Sequence, residues 1–202
     1  AGSEVTAMRT TAKKVGDEYI LNGTKCFISN GPIADVYMVI AYTDKSKGSH
    51  GLSLFMVPKE LGVETGKHEN KMGLRASVTG EVIFNDVKVP AKNLVGKEGE
   101  GYRNILANLT RNRILNTSIV VGTAQHALNE AIKYANERET FGTPIKNHQG
   151  IQFMLADMEQ LVQASRNYLI YGANLLQRNA PKDVISQVAA GAKVFASEAA
   201  MK

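Results

Sequence analysis

Tyr134-Ala-Asn-Glu-Arg-Glu-Thr-Phe-Gly-Thr-Pro-Ile145 is a polar turn set between two long segments of helical pattern, with His148-Gln149 and Leu155-Ala-Asp-Met158 close behind it. Gly142 and Pro144 are helix-stopping residues, and Arg138 sits where a helix C-terminus favours a cation. Those rules leave Phe141 without a reason, because a large aromatic at the tip of a turn, beside an arginine, expects something to dock on it. Upstream, from about Gly101 to Asn136, there is no proline and Gly122 is the one internal glycine. Ile105, Leu109, Ile119, Ala127 and Leu128 fall there at helical spacing. Downstream, His148 to Asn179 repeats the pattern through Ile151, Leu155, Met158, Val162 and Leu169. A third helix is predicted after Pro181, through Ile185, Val188, Ala192 and Phe195 to the end, since proline is tolerated in a first helical turn. Three helices with wide apolar faces cannot bury them among themselves, so missing helices or other subunits are expected against them.

Before Pro90 the pattern is that of short strands. Glu18 to Leu21, then Asn22-Gly23, then Thr24 to Ser29 reads as a hairpin, because Asn-Gly accepts the positive φ values of a tight primed turn. Further strands are expected at Val36–Tyr42, Leu52–Val57 and Glu81–Phe84, separated by Gly31, Lys47-Gly48 and Met72-Gly73. The predicted fold class is α+β: an antiparallel β-sandwich or barrel over residues 1–92, followed over 93–202 by an antiparallel helical bundle with three helices present and others missing.

The chain has 202 residues, 44% hydrophobic, and a formal net charge of +5. Its basic residues are scattered singly or in pairs such as Lys13-Lys14, which speaks against nucleic acid and is compatible with a phosphate-rich ligand. The single cysteine, Cys26, excludes an internal disulfide framework; in a strand-like run it is expected to pack in the core, and it agrees with a reducing compartment. No apolar stretch reaches the roughly 18 residues of a membrane helix and no signal peptide opens the chain, so a soluble, intracellular protein is expected. Its abrupt start at Ala1-Gly-Ser-Glu4 suggests a piece of a longer protein. The histidines at 50, 68, 126 and 148 lack metal-ligand spacing, and Gly96-Lys-Glu-Gly-Glu-Gly101 lacks the Gly-Lys-Ser/Thr ending of a phosphate loop.

Four separated motifs together resemble the acyl-CoA dehydrogenase family over nearly the whole chain: Ala1-Gly-Ser3, Asn22-Gly-Thr-Lys-Cys-Phe-Ile-Ser-Asn-Gly31, Lys71-Met-Gly-Leu-Arg-Ala-Ser-Val-Thr79 running on to Pro90, and the Tyr134–Ile145 turn. The resemblance implies FAD as cofactor. It implies that Phe27, Ile28 and Ser29 stand against the flavin ring, an apolar wall with a hydroxyl near N5; the family often has Trp where this chain has Phe27. Arg138, Thr140, Phe141, His148 and Gln149 would hold the FAD of a neighbouring subunit, and Ser3, Thr110 and Arg113 would lie by the acyl-CoA thioester. It also implies an electron-transferring flavoprotein as partner and a homo-oligomer, tetramer or dimer, in the bacterial cytoplasm or the mitochondrial matrix.

Desaturation between the α and β carbons of an acyl-CoA needs a carboxylate to take the α proton while the β hydrogen leaves as hydride. The family places that Glu beyond the position of Lys202, or in some members immediately before the residue matching Arg113. Asn112 stands there, and an amide is not a base. Glu130, Glu137, Glu139 and Glu198 are expected at the surface, so no catalytic residue is assigned in this chain. Acyl-CoA oxidases and flavin-dependent monooxygenases share the fold, and a non-catalytic fragment or a nucleic-acid-binding homologue are the remaining alternatives.

Overall fold

A computed structural model describes residues 4–202. The chain divides into two compact units, one ending at Leu106 and one beginning at Ala107.

The first unit is a seven-stranded sheet built from β1 (Thr11–Val15), β2 (Glu18–Ser29), β3 (Val36–Tyr42), β4 (Leu52–Pro58), β5 (Glu64–His68), β6 (Thr79–Pro90) and β7 (Leu94–Val95), in the order β5-β6-β2-β1-β3-β4-β7. Its two outer strands are not paired to each other, so it is an open sheet, not a closed barrel. The β1–β3 junction is parallel, through the pair Thr11 and Tyr42; the others are antiparallel. Alternation explains the faces. Val39, Ala41, Phe55 and Val57 enter the main core with Tyr19, Leu21, Phe84 and Val89, whereas Ile40, Tyr42 and Leu52 enter a second core with Met8. Burial on both faces is why β3 reads as a continuous apolar run. Tyr102 and Ile105, in the first turns of the following helix, close that second core.

The expected Asn22-Gly23 hairpin is a correction. β2 runs unbroken through it, and the hairpin lies one turn earlier, where Val15 pairs Glu18. Asn22 instead faces a bulge in β6, where the register shifts between the pairs Leu21–Val87 and Gly23–Phe84. Its amide donates to Asp86 Oδ1 at 2.9 Å and its Oδ1 accepts from the Asp86 N–H at 3.0 Å, satisfying groups that the bulge frees. Gly23, at φ +135°, is required by close approach as well as by conformation, since a Cβ there would lie 2.9 Å from Thr10 Cα.

The second unit is helical. α1 (Gly101–Glu137) begins in the first unit and continues into this one, followed by α2 (Gln149–Gln177) and α3 (Lys182–Ala199). On α1 the buried stripe is Ile114, Thr117, Val121, Leu128 and Ala135, three, four and then seven residues apart. Leu109 and Ile119, which fit the helical period equally well, are exposed, as are Phe153 and Met154 on α2 and Val194 on α3. Small residues allow close packing: a Cβ on Gly172 of α2 would press on Ile114 at 3.3 Å, and one on Gly191 of α3 would collide with the Tyr168 hydroxyl.

Candidate functional site

In the β unit the site begins with a bulge. Lys25 pairs Val82 and Ile28 pairs Gly80, so Cys26 and Phe27 together oppose Glu81. The extra residue bends the strand and re-aims its side chains. Phe27 is left at φ +57°, a conformation costly for a bulky residue, and is 73% exposed. Ile28 returns to the core, Ser29 is exposed, and the strand end is tied down by Asn30 N–H donating to Val78 O at 2.6 Å. The same bulge corrects the expectation for Cys26, which is exposed, its Sγ 3.8 Å from Glu81 Oε1. The Lys71–Thr79 segment folds back on itself, Lys71 Nζ donating to Ser77 O and Arg75 Nε to Lys71 O, while Met72 and Leu74 stand fully or almost fully exposed.

Lys25 escaped the reading of the sequence. It shares the inward parity of Tyr19 and Leu21, and a lysine at such a position was the available signal. Its Nζ donates to Ile40 O at 2.7 Å and lies 3.7 Å from Met8 Sδ; burial pushes the ammonium down to about 8. Elsewhere in this unit, burial and a hydrogen bond to Glu98 push the Tyr19 phenol up to about 12.

In the helical unit the residues around Arg138 form more than a helix stop. Two short strands, β8 (Glu139–Thr140) and β9 (Thr143–Pro144), pair across Phe141-Gly142. Phe141 at φ +53° and Gly142 at φ +73° have the signs of a primed two-residue hairpin turn. Ile145 N–H to Arg138 O, 2.8 Å, closes its base. Phe141 is 98% exposed at the tip. Thr140 Oγ1 lies 2.9 Å from His148 Nε2, and the Phe141 and His148 rings meet edge to face with centroids 6.1 Å apart. His148 caps α2 through its backbone, and Gln149 opens the helix, so the hairpin stands beside unpaired helical N–H groups. Arg138 is exposed, with no carboxylate at ion-pair distance among the described residues. The structure thus brings together Arg138, Thr140, Phe141, His148 and Gln149.

Thr110 and Arg113 lie three residues apart on α1, Thr110 half-buried and Arg113 exposed, with Asn112 half-buried between them. At 1.5 Å per residue, Arg113 stands about 36 Å along α1 from its C-terminus. α1 carries no carboxylate before Glu130, and Glu130, Glu137, Glu139 and Glu198 are all exposed. Ser3 lies outside the described residues. Among those described, no three His, Cys, Asp or Glu side chains are placed to hold a metal ion, and no helix is long and apolar enough to cross a membrane.

Residues 1–87 match the model of the acyl-CoA dehydrogenase middle domain, and residues 99–202 that of the acyl-CoA dehydrogenase C-terminal domain. The chain is 44% identical to a cyclohex-1-ene-1-carbonyl-CoA dehydrogenase of Geobacter metallireducens, over all of this chain and 53% of the relative. It is 44% identical to the caffeyl-CoA reductase-Etf complex subunit CarC of Acetobacterium woodii, over 98% of this chain and 52% of the relative. The structure of butyryl-CoA dehydrogenase from Megasphaera elsdenii superposes with a TM-score of 0.95 at 42% identity, covering 100% of this chain and 52% of that one. The chain spans about half the length of the curated relatives it matches.

Proposed function

The chain belongs to the acyl-CoA dehydrogenase family, and from that premise we propose that its whole protein desaturates acyl-CoA thioesters between the α and β carbons, using FAD. The observation that carries this reading is the hairpin tip. Phe141 occupies a left-handed conformation fully in solvent, beside an Arg138 without an ion-pair partner among the described residues, and folding alone gives no reason for an aromatic at that place.

The side chains fit the cofactor chemically. Arg138 presents a planar fork suited to a pyrophosphate. Phe141 offers an apolar face, and Thr140 and His148 hold one another in place beside it. Phe27 would supply a wall for the isoalloxazine, and the Ser29 hydroxyl would be the hydrogen-bond donor toward N5. Bound FAD supplies the acceptor for the β-hydride. Thr110, Arg113 and Ser3 orient the thioester. With about 36 Å of helix between Arg113 and the Arg138 hairpin, one chain cannot offer both to a single flavin–substrate pair. The hairpin therefore serves a second subunit, and the exposed apolar rows on α1, α2 and α3 are covered in a homo-oligomer, a tetramer or dimer. The residues present bind and orient; the carboxylate that removes the α proton lies outside them.

The Etf complex named for the Acetobacterium relative supports an electron-transferring flavoprotein as the electron acceptor. We assign the protein to the bacterial cytoplasm or the mitochondrial matrix. Rapid anaerobic mixing of the full-length holoenzyme with acyl-CoA tests the activity. Loss of the flavin's visible absorbance that persists on admitting air is the expected result; rapid recovery with peroxide formation would make it an oxidase, and no bleaching would remove the reading.

A further inference from the structure

We propose that Lys25 is a positioning residue for the flavin-facing bulge, its ammonium pinning β2 to β3 at the residue where the bulge begins. The inference rests on the reading of Phe27 to Ser29 given above and adds a residue to it.

In sheet order β1 lies between β2 and β3, but its pairing with β2 reaches only to Thr11 opposite Asn22. The second half of β2, from Gly23 to Ser29, thus runs past the end of β1, pairing β6 on one side, while on the other the segment before β1 lies alongside, Thr10 close against Gly23 and Met8 by Lys25. Tyr42 N–H donates to Thr10 O at 2.9 Å, so Tyr42 turns its backbone groups toward β1, and Ile40, two residues away, turns its own the same way. Among the described residues β1 pairs β3 at Thr11 and Tyr42 and no strand pairs Ile40 on that side, and Ile40 is 8% exposed, so an unmet carbonyl would carry a desolvation cost. Lys25 Nζ meets it at 2.7 Å and lies 3.7 Å from Met8 Sδ, which is also buried. Among the described residues no carboxylate pairs with this ammonium. Burial lowers the affinity of the amine for its proton, which marks the position as one not chosen to hold a charge cheaply. What the ammonium gains is a fixed crossing between two strands that are not paired with each other in the sheet. The residue so fixed is the last in register before Cys26 and Phe27 are thrown out of it. Without that crossing β2 would be held at the bulge by β6 alone, letting the left-handed turn at Phe27 relax and moving the aromatic and the Ser29 hydroxyl together.

Lys25→Met in the full-length holoenzyme keeps the aliphatic stem and removes the donor. The expected result is a roughly tenfold weaker hold on FAD and a changed flavin visible spectrum, with the protein still folded. Val57→Ala, a core truncation that lowers thermal stability without touching the bulge, is the control and leaves the flavin spectrum unchanged. An unchanged spectrum and affinity in Lys25→Met overturns the proposal, as does an equal change in Val57→Ala. Phe27→Ala separates the two levels: if it too leaves the flavin untouched, the assignment of the bulge to the flavin is what fails, whereas a response to Phe27→Ala alone sinks only the role of Lys25.

Discussion

Replacing Phe141 with Asn should make the protein more stable and worse at holding its cofactor. The tip residue sits at φ +53° next to Gly142 at φ +73°, and Asn-Gly is the pair such a turn favours most. A bulky residue held in the left-handed region costs roughly 1–2 kcal/mol, most of which Asn recovers. At 98% exposure, Phe141 gives up no core packing in the chain, and its edge contact with His148 falls at the low end for an aromatic pair, about 0.5 kcal/mol. The net is a gain of about 1 kcal/mol, or about 2–4 °C in Tm for a chain of this size. Against FAD the sign reverses. Covering half of an aromatic side chain at roughly 25 cal/mol per Å² is worth about 2 kcal/mol, so affinity falls about 30-fold. Thermal unfolding of apoprotein and titration with FAD measure the two effects separately. A variant that loses stability, or one that binds FAD within about twofold of the parent, would refute the view that strain at the tip is kept for the ligand.

Arg138→Gln should weaken FAD binding by about 10- to 100-fold, and Arg138→Lys should restore only part of it because a point charge lacks the fork; equal binding by Lys and Arg would count against a bidentate contact. Gly101→Ala should destabilise the β unit by about 2 kcal/mol, read by urea unfolding, since the new Cβ would lie 2.7–2.9 Å from the Ser53 and Leu52 backbone, which cannot swing aside. For Lys25 the folded-state value of about 8 lies below its ordinary 10.5, so the unfolded chain binds more protons between the two and stability rises with pH there. Tyr19, raised from 10.0 to about 12, acts oppositely from pH 10 upward, leaving a clear window of about pH 8–10. After discounting for partial exposure the rise is about 2 kcal/mol, and Lys25→Met should remove it from the stability–pH curve; an identical curve for both proteins would contradict this.

Much of the architecture was legible because it rests on local periodicity. β3 was delimited at Val36–Tyr42 by its apolar run, and the three helices by proline and glycine at their ends. Asn22-Gly23 misled because its turn propensity is local, while its use in the fold, spanning a bulge on a strand more than sixty residues away, is not. Cys26 misled for the same reason: alternation assumes an unbroken register, and the bulge at Cys26 and Phe27 breaks it. The Arg138 to Phe141 segment could be recognised as unusual from its composition, but the hairpin that presents Phe141 depends on two consecutive positive φ values that only Gly142 announces. On α1, Leu109 and Ile119 fit the helical period as well as Leu128 does, and sequence cannot tell an inward stripe from one awaiting a partner.

The central claim is that the Arg138 hairpin serves a flavin whose ring belongs to another subunit. A structure of the full-length oligomer with FAD bound tests it directly. The expected result is the Arg138 guanidinium at hydrogen-bond distance from the pyrophosphate of an FAD whose isoalloxazine lies against Phe27 of a different chain. An isoalloxazine against Phe27 of the same chain, or an Arg138 left in solvent while FAD is bound, would contradict it.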